Sequence, residues 1–389
     1  MTRAYDDLEL GYIREVFAAR RLGWLKGGMV SRFEEAFSDF VGSRFAIARG
    51  SGTAALAQAL SLSGVGPGSD VICDPLLHFG GLAALYCSAT PRFADVRCDT
   101  FNIDPASVRA NVTSRTRALV VTNLWGLCAE LDELRQICDQ HGIVMVEDCA
   151  HAIDSYWQGK HAGTYGDWGV FSFQHHKQLS TGEGGMIVTN SADLAEMVKK
   201  QEALECEVPN SLTFNFRMTE PTAAIGLGQL QKVGSYVAEY TRSLTILEGA
   251  IAACGWLRAR EVPAKAQLSG HTWACVWEGD RLGLDYQRFQ RTCQRLHLPV
   301  WFGVNGCDGP VYSHDLFEEA IARQRADYSR ACPTGAGNGD TVPAVAPVAE
   351  NLIPRLVTID VIEMPERLVV RTAAKLREAI RLMENRPRP

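Results

Sequence analysis

Between residues 45 and 190 the chain repeats one pattern: a short apolar, β-branched run, a break, then apolar residues at helical spacing. FAIARG leads into GTAALAQALSLSG, DVICDP into GGLAALYCS, and ALVVTNL into LDELRQICDQHG, with IVMVED following. Continuous apolar strands joined by helix-length connections predict an α/β fold, a mainly parallel sheet sandwiched by helices. Ligands gather at the carboxyl ends of the strands in such sheets. DWGVFSF and GGMIVTN read as two further strands.

The pattern changes after residue 220. EPTAAIGLGQLQKVGSYVAEYTRSLTILEGAIAAC has helical spacing and predicts one long helix or two. HTWACVWEG and PRLVTIDV then read as strands, and LDYQRFQRTCQRLH and PERLVVRTAAKLREAIRLMENR as amphipathic helices. The Gly- and Pro-rich stretch 332–347 reads as a loop. These signals divide the chain into a large domain, residues 1–250, and a smaller C-terminal α+β domain, residues 251–389. Neither an internal repeat nor a low-complexity segment stands out.

A chain of 389 residues exceeds what one hydrophobic core usually supports, which agrees with two domains. The net charge of −6, with Lys and Arg scattered, gives no footprint for nucleic acid. No stretch of about 18 apolar residues occurs, and the N-terminal residues lack the pattern of a secretory signal, so a cytoplasmic protein away from membranes is expected. The twelve cysteines include no C-x-x-C and read as reduced, mostly buried residues, with no metal site expected.

Between the last two strands of the large domain lies QHHKQLSTGE, and it poses a question about Lys177. Lysine is rarely buried unless it is paired or chemically used, so taken alone Lys177 reads as a surface turn residue. Three other places bear on it. Gly50 to Thr53 form a turn opening onto a helix, which is either an ordinary helix cap or a phosphate site built from backbone amides and the hydroxyls of Ser51 and Thr53. Glu147 and Asp148 end the IVMVED strand, where a carboxylate either caps a helix or holds a proton on a ring nitrogen. His151 is either a satisfied core histidine or a donor to a neighbouring oxygen. Phosphate cradle, carboxylate and lysine together are the parts of a pyridoxal phosphate (PLP) site. There the lysine amine forms a Schiff base, a nearby carboxylate keeps the pyridine protonated, and the freed lysine carries a proton.

In order along the chain, GWLKGGMVSRFEEAFSDFVGSRFAIARGSGTAAL, DVRCDTFNIDP, VEDCAHAIDSYWQGKHAGTYGDWGVFSF, HKQLSTGEGG and FNFRMTEPTAAIGLGQL resemble the DegT/StrS family, the PLP-dependent sugar aminotransferases of fold type I. The resemblance spans almost the whole chain. It implies Lys177 as the Schiff-base lysine, Asp148 as the partner of the pyridinium nitrogen, and His151 beside the ring hydroxyl. It implies a phosphate loop of Gly52, Thr53 and Ala54, with Ser172 also reaching the phosphate. Asn215 matches an asparagine that a neighbouring subunit contributes, which implies a homodimer with shared active sites. Phe79 aligns with the residue stacked on the cofactor ring, a role that His78 could share because DPLLHFGG departs from the family wording.

Relatives that dehydrate sugars carry histidine in place of this lysine, so the intact Lys177 after His175 and His176 implies transamination. Adjacent histidines in an extended segment point to opposite faces and make a poor metal pair, so one is expected at the pocket and the other elsewhere. Glu183, Tyr312 and His314 are candidate contacts to the acceptor's hydroxyls, and Trp301 and Phe302 lie where relatives vary with substrate. The resemblance implies L-glutamate or L-glutamine as amino donor. The acceptor expected is a nucleotide-linked keto sugar in aminosugar or antibiotic biosynthesis, with a free ketocyclitol as the alternative. A non-catalytic protein that keeps the fold is a rival reading, but it would be free to lose Lys177 or Asp148. A dinucleotide-dependent oxidoreductase lacks its G-x-G-x-x-G.

Overall fold

The computed structural model describes residues 3–23, 26–201, 214–331, 345–362 and 364–385. Fourteen strands occur among them. Seven form the main sheet: β1 (Phe45–Arg49), β2 (Asp70–Cys73), β3 (Thr90–Phe93), β4 (Thr116–Thr122), β5 (Val144–Asp148), β8 (Trp168–Ser172) and β9 (Gly185–Thr189). Their order is β1-β9-β8-β5-β4-β2-β3, parallel from β8 to β3, with β9 antiparallel to both of its neighbours. The sheet is therefore mainly parallel, as the sequence pattern predicts, with one reversed strand. That reversal makes the β8–β9 connection a hairpin, and Lys177 sits in it.

The strands are apolar throughout because both faces are covered. Toward one face Ala118, Val120, Val146, Trp168 and Val170 pack against Ala55, Leu56, Ala59 and Leu60 of the helix Gly52–Leu62. Toward the other, Leu119, Val121, Met145 and Phe171 pack with Phe33 and Phe37 of the helix Met29–Val41. The 220–254 stretch forms two helices, Glu220–Leu230 and Val233–Ile251.

A second sheet of four strands, ordered β10-β12-β14-β13, is antiparallel throughout: β10 (Leu257–Ala259), β12 (Thr272–Trp277), β14 (Leu356–Asp360) and β13 (Trp301–Phe302). Its core joins Trp256, Trp277 and Phe289, whose ring centroids lie 5.1–5.4 Å apart, to apolar residues of the helices Val233–Ile251 and Glu366–Glu384. A small sheet joins β11 (Ala266–Gln267) to β6 (Tyr156–Trp157), which also pairs with β7 (Lys160–His161). Residues beyond 251 thus return to the large sheet's side of the molecule. We propose the helix Val233–Ile251 as the link between the two domains. Most of the predicted loop 332–347 lies outside the described residues.

Glu147, fully buried, ties the main sheet to the loop after β7. Its carboxylate accepts from the amides of Gly163 (2.8 Å), Tyr165 (2.7 Å) and Gly166 (2.8 Å). Glu147→Ala orphans three amides, and at about 1–3 kcal/mol for each unsatisfied group the variant is expected to lose about 4 kcal/mol or more. Urea unfolding followed by circular dichroism measures the loss. An unchanged midpoint would show that water replaces the carboxylate freely.

Candidate active site

The carboxyl ends of β1, β5 and β8 open into a cavity of about 550 Å³. Its floor begins at the turn after β1. Ser51 caps the helix Gly52–Leu62, its Oγ accepting from the Ala54 amide at 3.1 Å, while Gly52 and Thr53 line the cavity at the helix N-terminus. The cap reading holds for Ser51, while Gly52 and Thr53 face the cavity. The turn lies hard against the ends of β8 and β9. A Cβ at Gly52 would fall 2.8 Å from Ser172 Cβ, and one at Gly185 would fall 2.6 Å from the Ser51 carbonyl carbon, so neither position has room for a side chain.

Asp148, at the end of β5, is 2% exposed, and its Oδ1 accepts from the Ala150 amide at 3.0 Å. Burial pushes its carboxyl up to about 6, against the pull of that amide and of Lys177, with Asp74 adding to the rise. Lys177 reaches the same cavity from the hairpin and is partly buried. Burial lowers its ammonium to about 8, while Asp148 and Asp360 act in the opposite direction. The surface-turn reading of Lys177 is thereby set aside.

The hairpin is held from several sides. The Lys177 amide donates to Gln174 O at 2.9 Å, and Arg3 donates from its guanidinium to the carbonyls of both Lys177 and His175. Gln178, fully buried, donates to the carbonyls of His151 (2.7 Å) and Gly270 (3.0 Å).

Two histidines close one side. His151 and His271 lie with ring centroids 4.1 Å apart, and burial together with Lys177 holds both well below the usual imidazole range, hence neutral. His271 Nδ1 lies 2.8 Å from Thr272 Oγ1. His151 Nδ1 and His271 Nε2 are buried without a hydrogen-bond partner. Buried polar atoms normally have partners, so the two nitrogens mark a place for a polar ligand atom.

The residues singled out from sequence divide into two groups. Gly52, Thr53, Phe79, Asp148, His151, Ser172, Lys177 and Glu183 line the cavity together, and His176 joins them. Ala54 contributes its amide to the Ser51 cap. Asn215 is exposed and outside its own chain's cavity, although the adjacent Phe216 carbonyl accepts from Gly50 at 2.7 Å. Tyr312 also stays outside, because its hydroxyl donates to Glu350 at 2.6 Å and accepts from the Ala346 amide at 3.0 Å. His314 precedes the helix Asp315–Ala331 and offers its carbonyl to the first turn instead of a ring to the cavity. His175 and His176 do not point apart as an extended segment requires. Their rings lie 3.6 Å apart because the hairpin turns there. His271, Trp125, Asn305, Thr272, Thr358 and Asp360 line the cavity without having been picked out from sequence. The one available signal was a polar residue in an otherwise apolar strand, as in LVTID.

A helix N-terminus free of side-chain bulk, a buried carboxylate, an amine of lowered pKa and an unpartnered histidine nitrogen fit pyridoxal phosphate in charge and in size. Residues 6–281 match the DegT/DnrJ/EryC1/StrS aminotransferase family. The chain belongs to that family. DegT/DnrJ/EryC1/StrS aminotransferases are PLP-dependent, and PLP is the cofactor of this chain.

Among relatives, the chain is 37% identical to GDP-perosamine synthase of Caulobacter vibrioides over 64% of its own length and 69% of that protein's. It is 41% identical to L-glutamine:2-deoxy-scyllo-inosose aminotransferase of Streptomyces fradiae over 44% of its length and 41% of the relative's. The matched part thus spans less than half of the second relative. Among solved structures, 3-amino-5-hydroxybenzoic acid synthase superposes with a TM-score of 0.82 at 25% identity, covering 98% of each chain. Among the described residues no helix is long and apolar enough to cross a membrane, and no group of three or more His, Cys, Asp or Glu side chains is placed to hold a metal ion.

Proposed function

We propose that this member of the DegT/DnrJ/EryC1/StrS family takes an amino group from L-glutamate or L-glutamine and delivers it to the ketone of a hydroxylated six-membered ring. A nucleotide-linked keto sugar is the first acceptor and a free ketocyclitol the second. The observation that carries the reading is Lys177 and Asp148 opening onto one cavity, each shifting the other's proton affinity. Relatives acting in both acceptor classes support the ring ketone.

Bound in the cavity, PLP supplies an electron sink for the bond broken at the amino-bearing carbon. In this reading the chain's own residues do the rest. Gly52 and Thr53 hold the phosphate at the helix N-terminus, with Ser172 beside them, where amides and dipole favour an anion. Asp148 holds a proton on the ring nitrogen, because an adjacent anion raises that nitrogen's proton affinity. His151, neutral, would offer Nδ1 to the ring oxygen, and Phe79 would supply an apolar surface for the ring. Lys177, neutral above about 8, would anchor the cofactor and would carry the proton at the amino-bearing carbon. We also propose that Asn215, exposed on its own chain, completes the phosphate site of a second copy, making the active unit a homodimer.

The test is the visible absorbance of PLP-loaded protein during titration with L-glutamate and with L-glutamine. Loss of the band with either donor, and its return on adding a keto acceptor, is expected of a double-displacement enzyme. A spectrum indifferent to both donors rules the reading out.

A further inference from the structure

The cavity has two walls from separately cored sheets, and the second has no part in holding the cofactor in the reading above. Thr272 pairs with Asp360 across β12 and β14, and Trp301 pairs with Thr358 across β13 and β14. Residues opposed across an antiparallel ladder share a face, as do residues two apart on a strand. Thr272, Asp360, Thr358 and Trp301 therefore stand on one face of the second sheet, and all four line the cavity. Further from the cavity, Ala274, Val276 and Leu356 continue the same face, buried in an apolar cluster. The opposite face, with Trp273, Cys275, Val357 and Ile359, belongs to the second sheet's core. Only the cavity end of this face turns polar.

Its chemistry is specific. Trp301 is 58% exposed, an indole at the cavity edge, with Gly306 close enough that an added Cβ would touch Cε3 at 3.6 Å. Asp360 Oδ1 accepts from the Ile362 amide at 2.9 Å and Thr272 Oγ1 lies 2.8 Å from His271 Nδ1, which fixes both side chains in place. Held in this way, a carboxylate, two threonine hydroxyls and an exposed indole suit a ring with hydroxyls at its rim and C–H bonds on its faces. Hydroxyls donate to a carboxylate in charge-assisted hydrogen bonds, and the ring's apolar face packs on the indole. The wall also reaches the reacting centre, since the Asp360 charge is felt at Lys177.

We infer that Trp301, Thr358, Asp360 and Thr272 form the recognition wall for the acceptor, a polyhydroxylated six-membered ring ketone seated between the second sheet and Lys177. This rests on the aminotransferase reading and adds the residues that select the acceptor. Glutamate and glutamine carry no ring hydroxyls for the wall to hold, so the donor's half of the reaction is expected to depend on it less.

The experiment separates the half-reactions in full-length, PLP-loaded protein. Wild type, Asp360→Asn and Trp301→Ala are first converted by L-glutamate or L-glutamine, with the rate read from the visible band. The converted forms then receive 2-deoxy-scyllo-inosose or a GDP-linked keto hexose, and kcat and KM are read from the band's return. Trp301→Ala is expected to keep donor rates within about twofold while acceptor KM rises at least about tenfold. Asp360→Asn is expected to raise acceptor KM on the same scale with a smaller change in donor rate, since the Asp360 charge also acts on Lys177. Asp360→Glu is expected to recover part of the loss. If only the cyclitol, or only the GDP-linked ketone, shows the effect, the wall is assigned to that source of the ring. Donor and acceptor rates falling equally in Asp360→Asn would place Asp360 with Lys177 and overturn the inference. So would an acceptor KM unchanged in both variants, or a wild type that uses neither ketone. Failure of the donor step in the wild type removes the aminotransferase reading itself.

Discussion

Lys177→Ala is expected to abolish transamination, lowering kcat at least about 10³-fold, and to remove the visible absorbance that PLP shows in the wild type. Losing a positioned acid–base group alone costs about 10²–10⁴, and here the covalent anchor goes with it. Circular dichroism should be unchanged, because the hairpin is held by the backbone amides of Phe173 and Lys177 and by the side-chain amide of Gln178, and not by the amine. The pH dependence follows from the lowered ammonium. Folding keeps the amine near 8 where an unfolded chain has 10.5, so the native state binds fewer protons between those values. Stability in that window therefore rises with pH in the cofactor-free protein, and the slope disappears in the alanine variant. Cofactor capture by the wild type rises through the same pH of about 8, because only the neutral amine attacks a carbonyl. Stopped-flow absorbance from pH 6 to 10 reads it, and a flat profile would remove Lys177 as the anchor.

Asp148→Asn is the second large effect. The substitution preserves shape and removes the charge that holds a proton on the cofactor's ring nitrogen. Losing one preorganised electrostatic partner costs about 10²–10³ in kcat. PLP is expected to stay bound, since the phosphate turn and Lys177 are untouched, but both half-reactions slow together. That common slowing distinguishes Asp148 from Asp360, whose loss falls mainly on the acceptor half. In the cofactor-free protein the raised carboxyl, about 6 when folded against 3.8 in an unfolded chain, carries more proton when native between those values. Stability consequently falls as pH rises from about 4 to 6, and Asp148→Asn removes that fall. Thermal unfolding across this range checks the sign, and retained kcat in the variant would assign the ring nitrogen to another group.

How much of this was legible in the sequence differs along the chain. The parallel strands and their helices were readable because each strand is apolar on both faces and each connection is helix-length. Asp148 was readable because it ends an apolar strand at a polar break, where an α/β sheet collects its ligands, and Lys177 because it falls between two strand patterns in a chain that also offers a phosphate turn and that carboxylate. The acceptor wall was not. Thr272, Thr358 and Asp360 sit in short strands whose other residues are core, and which side of a strand meets a cavity depends on a pairing of residues some ninety positions apart. Tyr312 and His314 failed for the complementary reason. Their chemistry suited a hydroxylated ligand, but contacts with Glu350, Ala346 and the following helix had already claimed them. For the histidine pair the premise failed, an extended backbone where the chain turns, although His176 lines the cavity and His175 does not, as expected.

Arg3 bonds to the carbonyl of a residue 174 positions further along, and Gln178 reaches across 92 positions to the Gly270 carbonyl. The lysine hairpin is thus completed by chain from well before it and well after it, through long loops whose closure costs entropy before the contact forms. The visible band of bound PLP therefore reports on these distant contacts, and its return during refolding times their assembly.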